Sequence, residues 1–164
     1  MLTQNQTGLK KVGVFKAGWG KNAEGQRKLH AEQMSKDEKT YLTHRLNDLH
    51  HSFKIHPHLQ DKKAKGLIAY DILTIRNTLK SPRIIQQIRE YSEVELWDGT
   101  IDQRVLIRSS KKERVYIKDK GYLICNLLFV VSLSRSEIIT AYYSHKNHTY
   151  YKNNDRYDDT LRII

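Results

Sequence analysis

The chain has 164 residues, the length of one domain with room for a core. It carries 29 Lys and Arg against 18 Asp and Glu, a formal net charge of +11, which points to a polyanionic partner. A single cysteine, Cys125, excludes an intrachain disulfide and a cysteine metal site. Hydrophobic content of 38% is low for a compact domain, so part of the chain is expected to be a polar arm.

Residues 1–34 fit that arm, being polar and rich in Gly, Gln and Lys, with Val12, Val14 and Phe15 able to add a short strand. The remainder, 35–164, reads as one α+β domain. Ser35-Lys36-Asp37-Glu38 is a capping box that opens a helix running to about Ser52. Its apolar stripe is Leu42, Leu46, Leu49 and Phe53. A loop containing Pro57 follows. The spacing of Ile68, Ile72, Ile75 and Leu79 predicts a second helix over about 66–79, ended by Ser81-Pro82.

Strand patterns fill the rest. Residues 84–97 read as a strand, and Asp98-Gly99 as a hairpin turn. Residues 103–117 form the next strand, bent near Ser109-Ser110, and Lys118-Asp119-Lys120-Gly121 turns the chain again. Residues 122–133 are apolar on both faces, as a central strand should be. This apolar stretch is too short to span a bilayer as a helix. Residues 137–143 form the last strand, followed by a polar, aromatic tail. The expected architecture is therefore N-terminal helices packed on a four-stranded antiparallel β-sheet, with the other sheet face free for a ligand.

Two strands carry chemistry. Arg104 and Arg108 lie four apart, so they point to one side of their strand, and Thr140 and Tyr142 do the same on theirs. Guanidinium forks and hydroxyls suit a phosphate. Between Gln103 and Lys120 there are seven basic residues against two acids. Lys111, Lys112, Arg114, Lys118 and, beyond the last strand, His148 are the expected contacts to nucleic acid. An acidic membrane surface is disfavoured because no helix pairs a basic face with a bulky apolar one. The N-terminus lacks a signal-peptide pattern, so a cytoplasmic location is expected.

The ordered set Asp98-Gly99-Thr100, Arg104-Val105-Leu106-Ile107-Arg108, Asn126-Leu127, Phe129-Val130-Val131-Ser132-Leu133, Ile138-Ile139-Thr140-Ala141-Tyr142, Asn147-His148 and Asp155-Arg156-Tyr157 resembles phage and mobile-element members of the barnase–EndoU–colicin–RelE superfamily of metal-independent ribonucleases. The resemblance covers roughly residues 40–160. It implies one or two helices on a four-stranded antiparallel sheet with the active site on the sheet. It also implies a catalytic set of His44, Arg104, Arg108, Thr140 and Tyr142, with no metal and no cofactor. Some members of this superfamily have lost catalysis.

Elementary chemistry agrees in outline. RNA is cleaved without metal when its own 2′-hydroxyl attacks the adjacent phosphorus. This needs a base, an acid and cations for the developing charge. Histidine suits the proton work and arginine the charge. His44 and His51 share the helix face opposite the leucine stripe, which is also where merely solvated residues would sit. His50 flanks the stripe as packing. His56 and His58 bracket Pro57, and with His50 and His51 they lack regular metal-ligand spacing. His145 and His148 follow Thr140 and Tyr142 and are candidates for a second proton carrier. Asn126, on the central strand, could orient a catalytic group or pair with a neighbouring strand.

The reading is a toxin-like, phage-encoded endoribonuclease acting on single-stranded RNA, for which an immunity or antitoxin protein would be a natural partner. The alternatives are a non-catalytic nucleic-acid-binding phage protein and a basic structural phage protein.

Overall fold

The computed structural model describes residues 26–66, 69–145, 157–158 and 160–164. They form a mixed α+β arrangement. In chain order the elements are β1 (Gln26–His30), α1 (Lys36–Leu49), β2 (Lys54–Ile55), α2 (Pro57–Ala64), α3 (Ile72–Lys80), β3 (Ile88–Glu95), β4 (Ile101–Ile117), β5 (Gly121–Ser132) and β6 (Glu137–His145).

Each helix begins where a side chain can replace a missing backbone acceptor. Ser35 and Glu38 close a reciprocal capping box on α1, at 3.1 and 2.9 Å. His56 caps α2, its Nδ1 accepting from the His58 amide at 3.0 Å, and Pro57 occupies the first helical position, where a missing N–H costs nothing. Asp71 caps α3, accepting from the Leu73 amide at 3.0 Å.

The sheet has six strands in the order β1-β3-β4-β5-β6-β2. The four consecutive strands β3 to β6 are antiparallel neighbours, and each edge gains a strand. β1 pairs antiparallel with β3, and the two-residue β2 pairs parallel with β6. The four-stranded expectation is thus too small. β1 comes from residues 26–30, whose polarity suits the arm; an edge strand can be polar because sheet edges carry charged side chains. Residues 31–33 of the arm form a 3₁₀ turn and Met34 joins the core, while residues 1–25, with Val12, Val14 and Phe15, lie outside the described residues.

Two helical boundaries also differ from the sequence reading. The Pro57 loop is the helix α2, read as a loop because its only buried residue is Leu59, leaving no apolar period. The helix expected over 66–79 begins only at Ile72, after the Asp71 cap. Ile75 and Leu79 are fully buried, Ile72 is exposed, and Ile68 lies outside the described residues. Residues 84–86 are a short 3₁₀ turn, so β3 starts four residues later than expected.

One side of the sheet makes the core. Leu29, Tyr91, Val105, Ile107, Leu127, Phe129, Val131, Ile138 and Ala141 belong to a single buried cluster with Leu42, Leu46 and Leu49 of α1 and Ile75 and Leu79 of α3. Burying each such aliphatic or aromatic side chain stabilises the fold by about 1.5–3 kcal/mol. The alternation within β4 is therefore fixed: Val105 and Ile107 go to the helices, and Arg104, Leu106 and Arg108 go to the other face.

Candidate functional site

Residues opposite one another in an antiparallel ladder share a sheet face. The register gives three rows on the face away from the helices. Lys28, Ser92, Arg104 and Ser132 form the first, and His30, Glu90, Leu106, Val130 and Thr140 the second. Arg108, Leu128 and Tyr142 form the third. Arg104, Arg108, Thr140 and Tyr142 therefore lie on one face. Thr140 is half-buried and Tyr142 exposed, whereas both arginines are buried, at 5% and 7% exposure.

Buried guanidinium groups need partners. Arg104 Nε lies 2.6 Å from Asp102 Oδ2, and Arg135 reaches the same oxygen at 3.0 Å. Ser132 donates its hydroxyl to the other oxygen, Oδ1, at 2.6 Å. Asp102, itself 2% exposed, thus gathers two arginines from different elements. Arg135 also reaches Glu137, its other terminal nitrogen 3.5 Å from the carboxylate. Arg108 is held otherwise. Its Nε and one terminal nitrogen donate to the Asn126 side-chain oxygen at 3.1 and 2.8 Å, and that same nitrogen donates to the His145 carbonyl at 2.7 Å. The Asn126 amide nitrogen in turn donates to the Lys111 carbonyl at 3.1 Å. This fixes the register shift that falls between Arg108 and Lys112.

Beside Arg104 the face opens into a cleft of about 710 Å³. Arg104, Arg135, Thr140, Lys62, His56 and His58 line it together with Trp97, Leu96, Leu59 and Ile139. Helix α2 supplies the histidines from the β6 side, and the β3–β4 turn supplies Trp97, which is 77% exposed. The cleft combines cations, a hydroxyl, two imidazoles and an open aromatic ring. His56 Nδ1 is an acceptor in the α2 cap, so in the neutral ring the proton sits on Nε2. The His58 ring lies edge-on to it, with centroids 6.4 Å apart.

Not every expected residue joins this set. His44 is exposed on α1, and α1 packs on the opposite side of the sheet through Leu42, Leu46 and Leu49. The sheet stands between it and the arginines, so His44 does not belong to their site. The leucine stripe dictates this, because the side facing away from the stripe also faces away from the sheet. His51 is exposed on the same element's end, and the His50 ring nitrogen Nδ1 lies 2.6 Å from the Asn47 carbonyl. Lys112, Arg114 and Lys118 are exposed on the outer half of the β4–β5 hairpin. Lys111 turns toward α3, its ammonium 3.8 Å from both Asp71 and Glu113. His148 lies outside the described residues.

Sequence reasoning missed His56 and His58 as site residues, along with Arg135, Trp97 and Asp102. Pro57, which suits the first turn of a helix, was the one local signal for α2. It also missed a second buried polar group on the same face. His30, Glu90 and Tyr157 are each at most 5% exposed, the Tyr157 hydroxyl donates to Glu90, and the His30 ring meets Tyr157 edge-on at 5.3 Å. Lys28 stands 3.7 Å from Glu90. Tyr157 comes from the C-terminal segment, whose Asp158 amide donates to the Lys28 carbonyl at 2.8 Å.

Among the described residues no three His, Cys, Asp or Glu side chains are grouped as a metal-ligand set, and no helix is long and apolar enough to cross a membrane. Compared with known proteins, the chain matches no family model, no curated protein and no solved structure.

Proposed function

We propose that the protein binds RNA on its arginine-bearing sheet face and cleaves it without metal, the activity that the resemblance to the barnase–EndoU–colicin–RelE ribonucleases implies, and that the cleavage takes place in the cleft beside Arg104. One observation carries the reading: two imidazoles, three cationic side chains, a hydroxyl and an exposed indole line the same cleft. His58 takes the proton of the 2′-hydroxyl as the 2′-oxygen bonds to phosphorus. The bond from phosphorus to the 5′-oxygen breaks, that oxygen leaves with a proton from water at the open side of the cleft, and the hydroxide so formed takes up the proton held on His58. The products are a 2′,3′-cyclic phosphate and a 5′-hydroxyl. Arg135, Lys62 and Arg104 stabilise the charge that builds on the non-bridging oxygens. His56, with Nδ1 committed to the helix cap, presents Nε2–H to the phosphate. Trp97 offers a ring for a neighbouring base.

The test is incubation of purified protein with single-stranded RNA in excess chelator. Cleavage with cyclic phosphate ends, lost in His58→Ala, supports the reading. Intact RNA with a normally folded protein overturns it, and a magnesium requirement overturns the mechanism. A second reading, binding without turnover, is favoured by one observation: Arg104 and Arg108 are already engaged by Asp102 and Asn126, so both could serve the fold and leave only electrostatic attraction to the phosphates.

A further inference from the structure

The outer half of the β4–β5 hairpin extends past the described pairings of β4 with β3 and of β5 with β6, which end at Ile107 and Cys125. β4 is 17 residues long, and from Ser110 onward its side chains are exposed or half-buried. At about 3.3 Å per residue, the stretch from Ser110 to Ile117 reaches on the order of 25 Å. Its two faces differ. Glu113, Val115 and Leu123 are half-buried and Cys125 is buried on one side; burial, and then the charge and hydrogen bond of Glu113, push the Tyr143 pKa up to about 12. The other side is open. The register pairs Lys112 with Asn126, Arg114 with Ile124 and Tyr116 with Tyr122, so this side continues the face that carries Arg108.

On that open side Tyr116 and Tyr122 are 62% and 61% exposed. Their rings meet edge-on with centroids 5.3 Å apart at 70°. The Arg114 guanidinium carbon lies 4.3 Å from the centre of the Tyr122 ring. A cross-strand aromatic pair can serve a hairpin by itself, but two large rings left more than half exposed amid Lys112, Arg114, Lys118 and Lys120 stabilise little through burial. An edge-on pair also leaves ring surface open for a flat partner. Exposed aromatics interleaved with cations match single-stranded nucleic acid, whose bases stack while its phosphates are neutralised.

We infer that this ribbon is a stacking arm for single-stranded RNA, with Tyr116 and Tyr122 as the base platforms and Arg114, Lys112, Lys118 and Lys120 on the phosphates; the inference rests on the reading of the protein as RNA-binding and names how the strand is held. The β3–β4 turn beside the cleft and the β4–β5 turn of the arm lie at opposite ends of β4. A strand that uses both must cover the distance between them, about 33 Å from Arg104 to Tyr116 at strand spacing, counted along β5 from Ser132 to Tyr122. Long single strands would engage cleft and arm together, and a dinucleotide would reach the cleft alone.

The experiment measures binding of a 20-nucleotide single-stranded RNA, an RNA duplex of the same length, and turnover of a dinucleotide. The proteins are wild type, the double variant Tyr116→Ala/Tyr122→Ala and the double variant Tyr116→Phe/Tyr122→Phe. The alanine pair is expected to weaken single-strand binding by about 10- to 100-fold, the scale of losing a stacked base or two. The salt dependence of binding should be unchanged, because the phosphate contacts remain. Duplex binding and dinucleotide turnover should stay at wild-type level, and the phenylalanine pair should bind like wild type. Undiminished single-strand affinity in the alanine pair overturns the arm, and so does an equal loss on the duplex, which would make the hairpin a groove-insertion element. A loss shared by the phenylalanine pair, or by dinucleotide turnover, overturns it as a defect of folding rather than stacking. A wild-type protein that binds no RNA overturns the functional reading itself.

Discussion

Arg108 grips Asn126 through two of its nitrogens, both aimed at the one amide oxygen, at 3.1 and 2.8 Å. This joins β4 to β5 where their register shifts, and the second of those nitrogens ties in the end of β6 through the His145 carbonyl. Arg108 is therefore a pin across three strands before it is anything else. Asn126→Ala should destabilise the protein by about 1–3 kcal/mol, the scale of leaving a buried polar group unmet, read as a shift of the urea midpoint. Asn126→Asp keeps an acceptor for Arg108 and should lose less.

Asp102 is the second pin. Asp102→Ala removes the buried carboxylate that pairs with Arg104, itself 5% exposed, and should cost about 3–5 kcal/mol in thermal or urea unfolding. Arg135, at 40% side-chain exposure, can turn to solvent, so Arg135→Ala should cost less stability. If it binds phosphate it should weaken RNA affinity instead. Equal stability losses for the two variants would count against this division.

The histidines separate by position. His58→Ala should lower RNA cleavage by about 10²-fold or more, as expected for removing a general base. His44→Ala should leave it unaltered, because His44 lies on the helix side of the sheet. A rate loss in His44→Ala at unchanged stability would put the site elsewhere.

Acid should loosen the C-terminal segment. Burial raises the carboxyl pKa of Asp158, but hydrogen bonds from Thr160 and Arg27 outweigh it and hold the group below its ordinary value. Glu38 follows the same pattern, with burial outweighed by bonds from Ser35 and the Ile163 amide. A depressed folded-state pKa contributes stability that is complete above the unfolded value, about pH 4, and is lost as pH falls through the folded one. Unfolding measured from pH 6 to pH 2.5 should show this loss. Asp158→Asn should flatten the profile over that window; an unflattened profile would place the acid sensitivity in other groups.

Much of the sheet was legible in the chain because alternation is a local rule. Val105 and Ile107 between Arg104, Leu106 and Arg108 can satisfy a buried face in only one way, and that choice set the shared face with Thr140 and Tyr142. The capping box at Ser35 and Glu38 was equally local, made of groups three residues apart. What lay beyond reach was contact between distant segments. Nothing in residues 26–30 announces an edge strand, since a polar strand forms only when a neighbour supplies its hydrogen bonds. Likewise, Pro57 marks a helix start only once His56 is seen to cap it. The site depended most on tertiary structure. Whether a histidine faces the arginines is decided by which side of the sheet its helix covers, and the leucines of α1 took His44 to the far side. The short helix α2, held by one buried leucine at the β6 edge, brought His56 and His58 to the cleft instead.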